Sequence, residues 1–252
     1  MPQRPHQSLS KVPELTLAFW VIKIAATTLG ETGGDAVSMS MGLGYLVGTA
    51  IFAVVFAGAV WAQIRAKDFH PFLYWFTIIA TTTVGTTLAD FADRSLGIGY
   101  AGGSSILLAA VLGSLYLWKR VMGDVSVYAV SSPKSEMFYW MTIMFSQTLG
   151  TALGDWTADS AGMGYKGAAV LFGALLALVA AAYFWTKVSR TGLFWAAFIL
   201  TRPLGAVVGD FLDKPLDHGG LALSRYTATL ALLAFIIVGI LVFPKRAALR
   251  RH

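Results

Sequence analysis

The chain has 252 residues, 56% of them hydrophobic and only 13% charged, where a typical soluble domain carries about 25% charged residues. That balance excludes an ordinary soluble domain, and the absence of cysteine excludes a disulfide framework and a thiolate metal site. The formal net charge of +6 does not imply nucleic acid as a partner, because the basic residues are scattered between apolar runs rather than gathered on one face.

Taken in chain order, the apolar runs predict an all-α integral membrane protein with eight transmembrane helices, at roughly 14–36, 45–64, 71–92, 101–120, 136–158, 166–186, 192–212 and 225–243. Runs such as "YLVGTAIFAVVFAGAVWA" from 45 approach the roughly 20 residues that cross a bilayer, and they lack the alternation of membrane-barrel strands. The first run follows "MPQRPHQSLSKVPE" without a small-residue cleavage pattern, so a retained first helix is expected.

The chain repeats itself. The copies are "FWVIKIAATTLGETGGD" from 19, "YWFTIIATTTVGTTLAD" from 74, "YWMTIMFSQTLGTALGD" from 139 and "FWAAFILTRPLGAVVGD" from 194. Each has an aromatic-Trp pair, then Gly, a small residue and Asp at fixed spacing, without gaps. Trp20, Trp75, Trp140 and Trp195 lie 55, 65 and 55 residues apart, as expected of a unit duplicated twice. Three copies continue into Gly-x-Gly-Tyr at 42, 97 and 162, while the fourth has a longer turn, "DKPLDHGGLALSRY". The expected organisation is a single membrane domain, 1–252, with repeats 14–65, 69–121, 134–187 and 190–244 and halves 1–124 and 125–252. Each repeat supplies a motif-bearing helix A and a plain apolar helix B.

Thirteen of the nineteen Lys and Arg lie in the tails and the B-to-A links, against four in the A-to-B turns (Arg94, Lys166, Lys214, Arg225). The positive-inside rule then predicts cytoplasmic termini and outward-facing turns. With every repeat returning the chain to the same side, the four should stand parallel around a pseudo-symmetry axis along the membrane normal. The Trp residues suit the inner aromatic belt, and each Asp falls about 22 Å further across.

Helical spacing aligns the polar residues into stripes: Lys23, Thr27, Glu31 and Asp35; Thr82, Thr86 and Asp90; Gln147, Thr151, Asp155 and Asp159; Arg202 and Asp210. Ionisable groups at that depth face a bundle interior or a watery cavity. Glu31, Asp35, Asp90, Asp155 and Asp210 are therefore the expected cation-binding or proton-coupling site and the tentative metal ligands. Lys23, Thr27, Thr82, Thr86, Gln147, Thr151 and Arg202 form the expected polar path. Lys23 and Arg202 are the two membrane-embedded cations available to balance the acids, and Pro203 should kink the seventh helix. Asp93, Asp159 and Asp213 are expected in a solvated outer vestibule. The four His residues, His6, His70, His218 and His252, fall in tails or links, which leaves oxygen ligands and favours Mg²⁺ or Mn²⁺. Gly30 and Gly34, Gly85 and Ala89, Gly150 and Gly154, and Gly205 and Gly209 form small-xxx-small stripes for close helix packing.

With "TTLGETGGD", "TTVGTTLAD", "QTLGTALGD" and its "GLGY" turns, the chain resembles the bacterial membrane proteins built from tandem copies of a repeat of unknown function, often labelled uncharacterised membrane-anchored proteins. The resemblance covers nearly the whole chain and implies a multi-spanning inner-membrane protein, with no activity to carry over. "ATTTVGTTLAD" from 80 resembles a potassium-channel filter only locally, since the Tyr-Gly that should follow is missing. A microbial rhodopsin is disfavoured by Arg202 standing where a retinal lysine is needed.

The leading expectation is a non-enzymatic transporter for a cation, with a divalent metal as cargo and protonation accompanying turnover. No resident cofactor is expected. Membrane lipid and the transported ion are the expected partners, with homo-oligomerisation left open. The alternatives are a structural or partner-binding protein whose polar stripes are helix glue, and an intramembrane enzyme acting on a lipid or quinone.

Overall fold

The computed structural model describes residues 10–243 and 246–248. Arg4, His6, Lys245, Arg250, Arg251 and His252, and the expected last residue of the fourth repeat at 244, lie outside the described residues. Within them the fold is all-α. The long helices are α1 (Leu17–Asp35), α2 (Gly44–Arg65), α3 (Pro71–Asp90), α4 (Tyr100–Met122), α5 (Pro133–Asp155), α6 (Gly164–Trp185), α7 (Arg190–Asp213) and α8 (Arg225–Val242). The described residues contain no strand, only an isolated bridge between Pro13 and Ala247.

Six of the eight are long and apolar enough to cross a membrane; α1 and α5 fall short of that hydropathy. The reason lies in their neighbours. Helices α1, α3, α5 and α7 touch one another in cyclic order, while α2 packs on α3, α4 on α5, α6 on α7 and α8 on α1. Each helix B thus packs chiefly against helix A of the following repeat, and the last returns to the first. The most apolar windows of α2 and α6 are only 11% buried, whereas that of Pro71–Ser95 is 72% buried. The outer helices supply the apolar surface, so the inner ones can be polar.

Apolar surroundings do not drive helices together once they lie in lipid, so association rests on close packing and interhelical hydrogen bonds. The glycines provide the close packing. A Cβ on Gly30 would collide with Thr82, one on Gly85 with the backbone of Gln147, one on Gly150 with the Arg202 stem, and one on Gly205 with Thr27. In each case the side chain received stands three residues before the glycine of the neighbouring inner helix. One turn later Gly34 faces Thr86, Gly154 faces Ala206 and Gly209 faces Glu31. The stripe expected to be packing surface is therefore the seat of the polar stripe next door.

The same cyclic order appears among the aromatic pairs. Ring centroids of Phe19 and Trp75 lie 5.4 Å apart, Tyr74 and Trp140 5.6 Å, Tyr139 and Trp195 6.1 Å, and Phe194 and Trp20 5.9 Å. Trp75, Trp140 and Trp195 are buried and Trp20 is half-buried. The aromatic-Trp pairs thus differ from the expected lipid-facing belt: they close a girdle between the inner helices, tightened by a 2.7 Å hydrogen bond between the Tyr74 and Tyr139 hydroxyls. At this end Lys11 pairs with Glu136 at 2.7 Å and donates to the Gln63 carbonyl at 2.9 Å.

Local sequence explains the ends of the elements. Pro71 and Pro133 stand in the first turns of α3 and α5, where a missing N–H leaves no helical bond unmade, and Ser132 and Ser135 form a reciprocal cap on α5. After their Asp, α1, α3 and α5 each continue for one π-helical turn, 36–40, 91–95 and 156–160. The Gly-x-Gly-Tyr turns follow, with both glycines at positive φ in all three: 68° and 76°, 67° and 78°, 69° and 64°. Helix α7 runs through Pro203 without a break, and the Pro203 ring stands against the would-be Cβ of Gly150.

Candidate functional site: stacked polar layers between the inner helices

Because the inner helices meet in register, residues at equivalent repeat positions form layers one helical turn apart. From the Trp end these are Lys23 with Ile78, Ile143 and Phe198; Thr27 with Thr82, Gln147 and Arg202; Glu31 with Thr86, Thr151 and Ala206; and Asp35 with Asp90, Asp155 and Asp210. Every polar member of the four layers is buried.

Arg202 joins the middle layers. It is fully buried, and its Nη2 donates to Glu31 Oε2 at 2.9 Å, Thr86 Oγ1 at 2.6 Å and Thr151 Oγ1 at 2.5 Å. One nitrogen of α7 thus meets one residue from each of the other three inner helices. Most other threonines donate back to their own helix, as Thr77, Thr81 and Thr83 do. Thr27 donates to the carbonyls of Ile24 and Thr201. Thr82 Oγ1, both amide atoms of Gln147, and Nε and Nη1 of Arg202 have no hydrogen-bond partner in the protein.

The Asp layer is bridged in pairs. Lys214 Nζ lies 2.5 Å from Asp35 and 3.0 Å from Asp210; Arg94 lies 2.8 Å from Asp90 and 3.4 Å from Asp155. Arg225 adds contacts of 2.9 Å to Asp213 and 3.8 Å to Asp35. Burial by itself disfavours the Lys214 ammonium, but the carboxylates of Asp210, Asp35 and Asp213 outweigh it and hold its pKa above the ordinary lysine value. The carboxylates of Glu31, Asp35 and Asp210 each offer an oxygen within 4.8 Å of the others, the only such acid or His cluster among the described residues.

Several sequence expectations need correction. Lys23 meets no acid: its Nζ lies 4.1 Å from the Phe198 ring centroid and 3.4 Å from Thr201 Oγ1. The cations that balance the Asp layer are Lys214 and Arg94, which sequence reasoning had placed in the turns as markers of topology. The missed signal is a shared phrase, "DFADR" from 90 and "DFLDK" from 210, which places a cation one turn after the Asp in repeats 2 and 4 alone. The expected vestibule is also divided. Asp159 is exposed, Asp93 is half-buried beside Gly103, and Asp213 is buried and held by Arg225. In α7, which lacks the π turn of the other inner helices, Asp213 stands about one helical turn past Asp210 and meets Arg225 at the start of α8.

Comparison with curated proteins and with solved structures finds no match. A family model does match, four times in tandem, over residues 18–69, 73–124, 138–189 and 193–247. Each matched segment covers most of one inner helix and the whole of one outer helix, and together they cover most of the chain, which belongs to the family described as Repeat of Unknown Function (DUF347).

Proposed function

We propose that the protein is a membrane transporter for a cation. The observation that carries this reading is the carboxylate cluster of Glu31, Asp35 and Asp210 with the Lys214 ammonium held against two of its members. A cluster that holds a protein ammonium presents the oxygen donors a transported cation needs, and withdrawal of Lys214 would free Asp35 and Asp210 for that cation. The all-oxygen donor set suits Mg²⁺ or Mn²⁺. In this reading the aromatic girdle closes one end and the paired Asp layer closes the other, with protonation of an acid accompanying turnover. The four two-helix repeats stand parallel about an axis along the normal of a bacterial inner membrane, with termini cytoplasmic and A-to-B turns outward, as the distribution of Lys and Arg supports.

A second reading has its own observation. Each acid of the Asp layer, and Glu31, is matched by a cation of the same chain, which is also what helix glue in a structural membrane protein requires. Flux into proteoliposomes with a panel of Mg²⁺, Mn²⁺, Ca²⁺, Na⁺ and K⁺ separates the two. Saturable uptake of one cation, lost in Glu31→Gln with the fold retained, is expected of a transporter; no uptake of any of them leaves the structural reading.

A further inference from the structure

The layer of Thr82, Gln147 and Arg202, with Lys23 one turn nearer the aromatic girdle, is chemically unlike the acid layers beyond it. It holds two cationic side chains, and the nearest acid, Glu31, is already engaged by Arg202 Nη2. With Lys23 one helical turn from the layer of Arg202, two fully buried basic side chains share one acid, an arrangement that a buried site tolerates when an anion sits with them. The unpartnered atoms are mostly donors: Nε and Nη1 of Arg202, Nε2 of Gln147 and the Thr82 hydroxyl, all on residues with 0% exposure. The Lys23 ammonium has only its 3.4 Å contact to Thr201 and the Phe198 ring. The layer is built, not incidental, since Gly30, Gly85 and Gly150 exist as seats for Thr82, Gln147 and the Arg202 stem. Buried donors without acceptors are rare in folded proteins and point to a bound acceptor.

We propose that this layer is a binding site for one small monovalent anion, of halide or formate size, held between Lys23, Gln147, Thr82 and Arg202. The anion would offset the excess positive charge left once Glu31 is paired. Arg202 would then present its two faces to two different ligands, Nη2 to the protein's own acid and Nη1 or Nε to the anion. The site is separate from the carboxylate cluster and does not depend on the transport reading.

The test uses the purified full-length protein in mild detergent and gluconate buffer, titrated with chloride, bromide or formate and followed by tryptophan fluorescence and calorimetry. A saturable response to the small anions, absent with further gluconate, is expected. Lys23→Met and Gln147→Leu should weaken it at least ten-fold while keeping the melting transition, and Arg120→Gln, on the exposed face of α4, should leave it unchanged. No saturable response in the wild type, or a Lys23→Met protein that binds as the wild type does, overturns the site and assigns these donors to water. Should the variants not fold, bromide anomalous scattering from wild-type crystals decides: a peak in this layer upholds the site, and none there removes it.

Discussion

The Lys214 ammonium lies 2.5 Å from Asp35, 179 residues away, and so ties the last repeat to the first. Arg94 does the same for repeats 2 and 3 through Asp90 and Asp155. A ring with four equivalent Asp is thereby closed by two cations, each serving its own helix and the next. The spacing of 55, 65 and 55 between the Trp residues has the same two-fold grain.

The first prediction concerns that tie. Breaking a buried pair by removing one partner costs about 3–5 kcal/mol, because the other charge is left uncompensated, whereas replacing both is far less damaging. Lys214→Met should therefore lower the melting temperature strongly, and Lys214→Met with Asp35→Asn should recover part of the loss. The pH dependence has a definite sign. A lysine whose folded pKa is raised contributes stability in full below the unfolded value of about 10.4 and loses it as pH rises through the folded value. Titration of Lys214 should thus leave stability unchanged from pH 6 to 9. Purely additive single-variant losses in thermal melts would show that the pair is not a tie.

How much of this was legible beforehand differs by level. The repeat, the inner role of helix A and the depth of the acids follow from a pattern that recurs four times, since a spacing kept in register must place equivalent side chains in one layer. The partners of the acids did not follow. Hydropathy assigns Arg94 and Lys214 to turns, where charge reads as topology, whereas each stands four residues after an Asp, in the π turn after Asp90 and at the end of α7 just before the loop to α8, and so lies over the acids. In that loop, Leu221, Ala222 and Leu223 donate backbone hydrogen bonds to Phe211, Lys214 and Leu212, folding the chain onto the end of α7. The aromatic girdle is hidden from sequence for a related reason: a Trp near a helix end looks the same whether it faces lipid or, like Trp75, Trp140 and Trp195, a neighbouring helix.

The glycine seats make the second prediction. A Cβ at Gly85 would stand 3.0 Å from the Gln147 carbonyl carbon and the Thr148 nitrogen, and backbone yields less readily than a side chain. Gly85→Ala should destabilise by about 1–3 kcal/mol, the usual range for overpacking. Gly113→Ala in α4 and Gly173→Ala in α6, with nothing within 4 Å, should be neutral or stabilising by up to about 1 kcal/mol through helix propensity. Chemical denaturation in mixed micelles measures all three, and equal effects would contradict the seating.

The girdle makes the third. Tyr74 and Tyr139 are fully buried and share one hydroxyl–hydroxyl hydrogen bond. Tyr74→Phe should cost about 1–3 kcal/mol by stranding the Tyr139 hydroxyl, and the double Phe variant should cost less than either single one. Stability that falls further in the double variant would mean that each hydroxyl has another partner.

The last prediction separates chemistry from glue at the centre of the bundle. Glu31 and Arg202 are both buried and 2.9 Å apart, so either one alone becomes an unpaired charge when its partner is neutralised. Glu31→Gln leaves Arg202 its threonine partners, Thr86 and Thr151, and should fold with reduced stability. Arg202→Gln leaves the Glu31 charge uncompensated and should be the worse of the two. The double Gln variant removes both charges and keeps side chains able to hydrogen-bond, so it should recover stability above Arg202→Gln alone. If Glu31 and Arg202 serve only to hold α1 against α7, that recovery should restore whatever the protein does. If Glu31 is a working carboxylate, the double variant will be folded and will carry no cation flux at any pH. A folded double variant with normal, pH-dependent flux would remove Glu31 from the transport pathway and leave the outer Asp layer as the site to test.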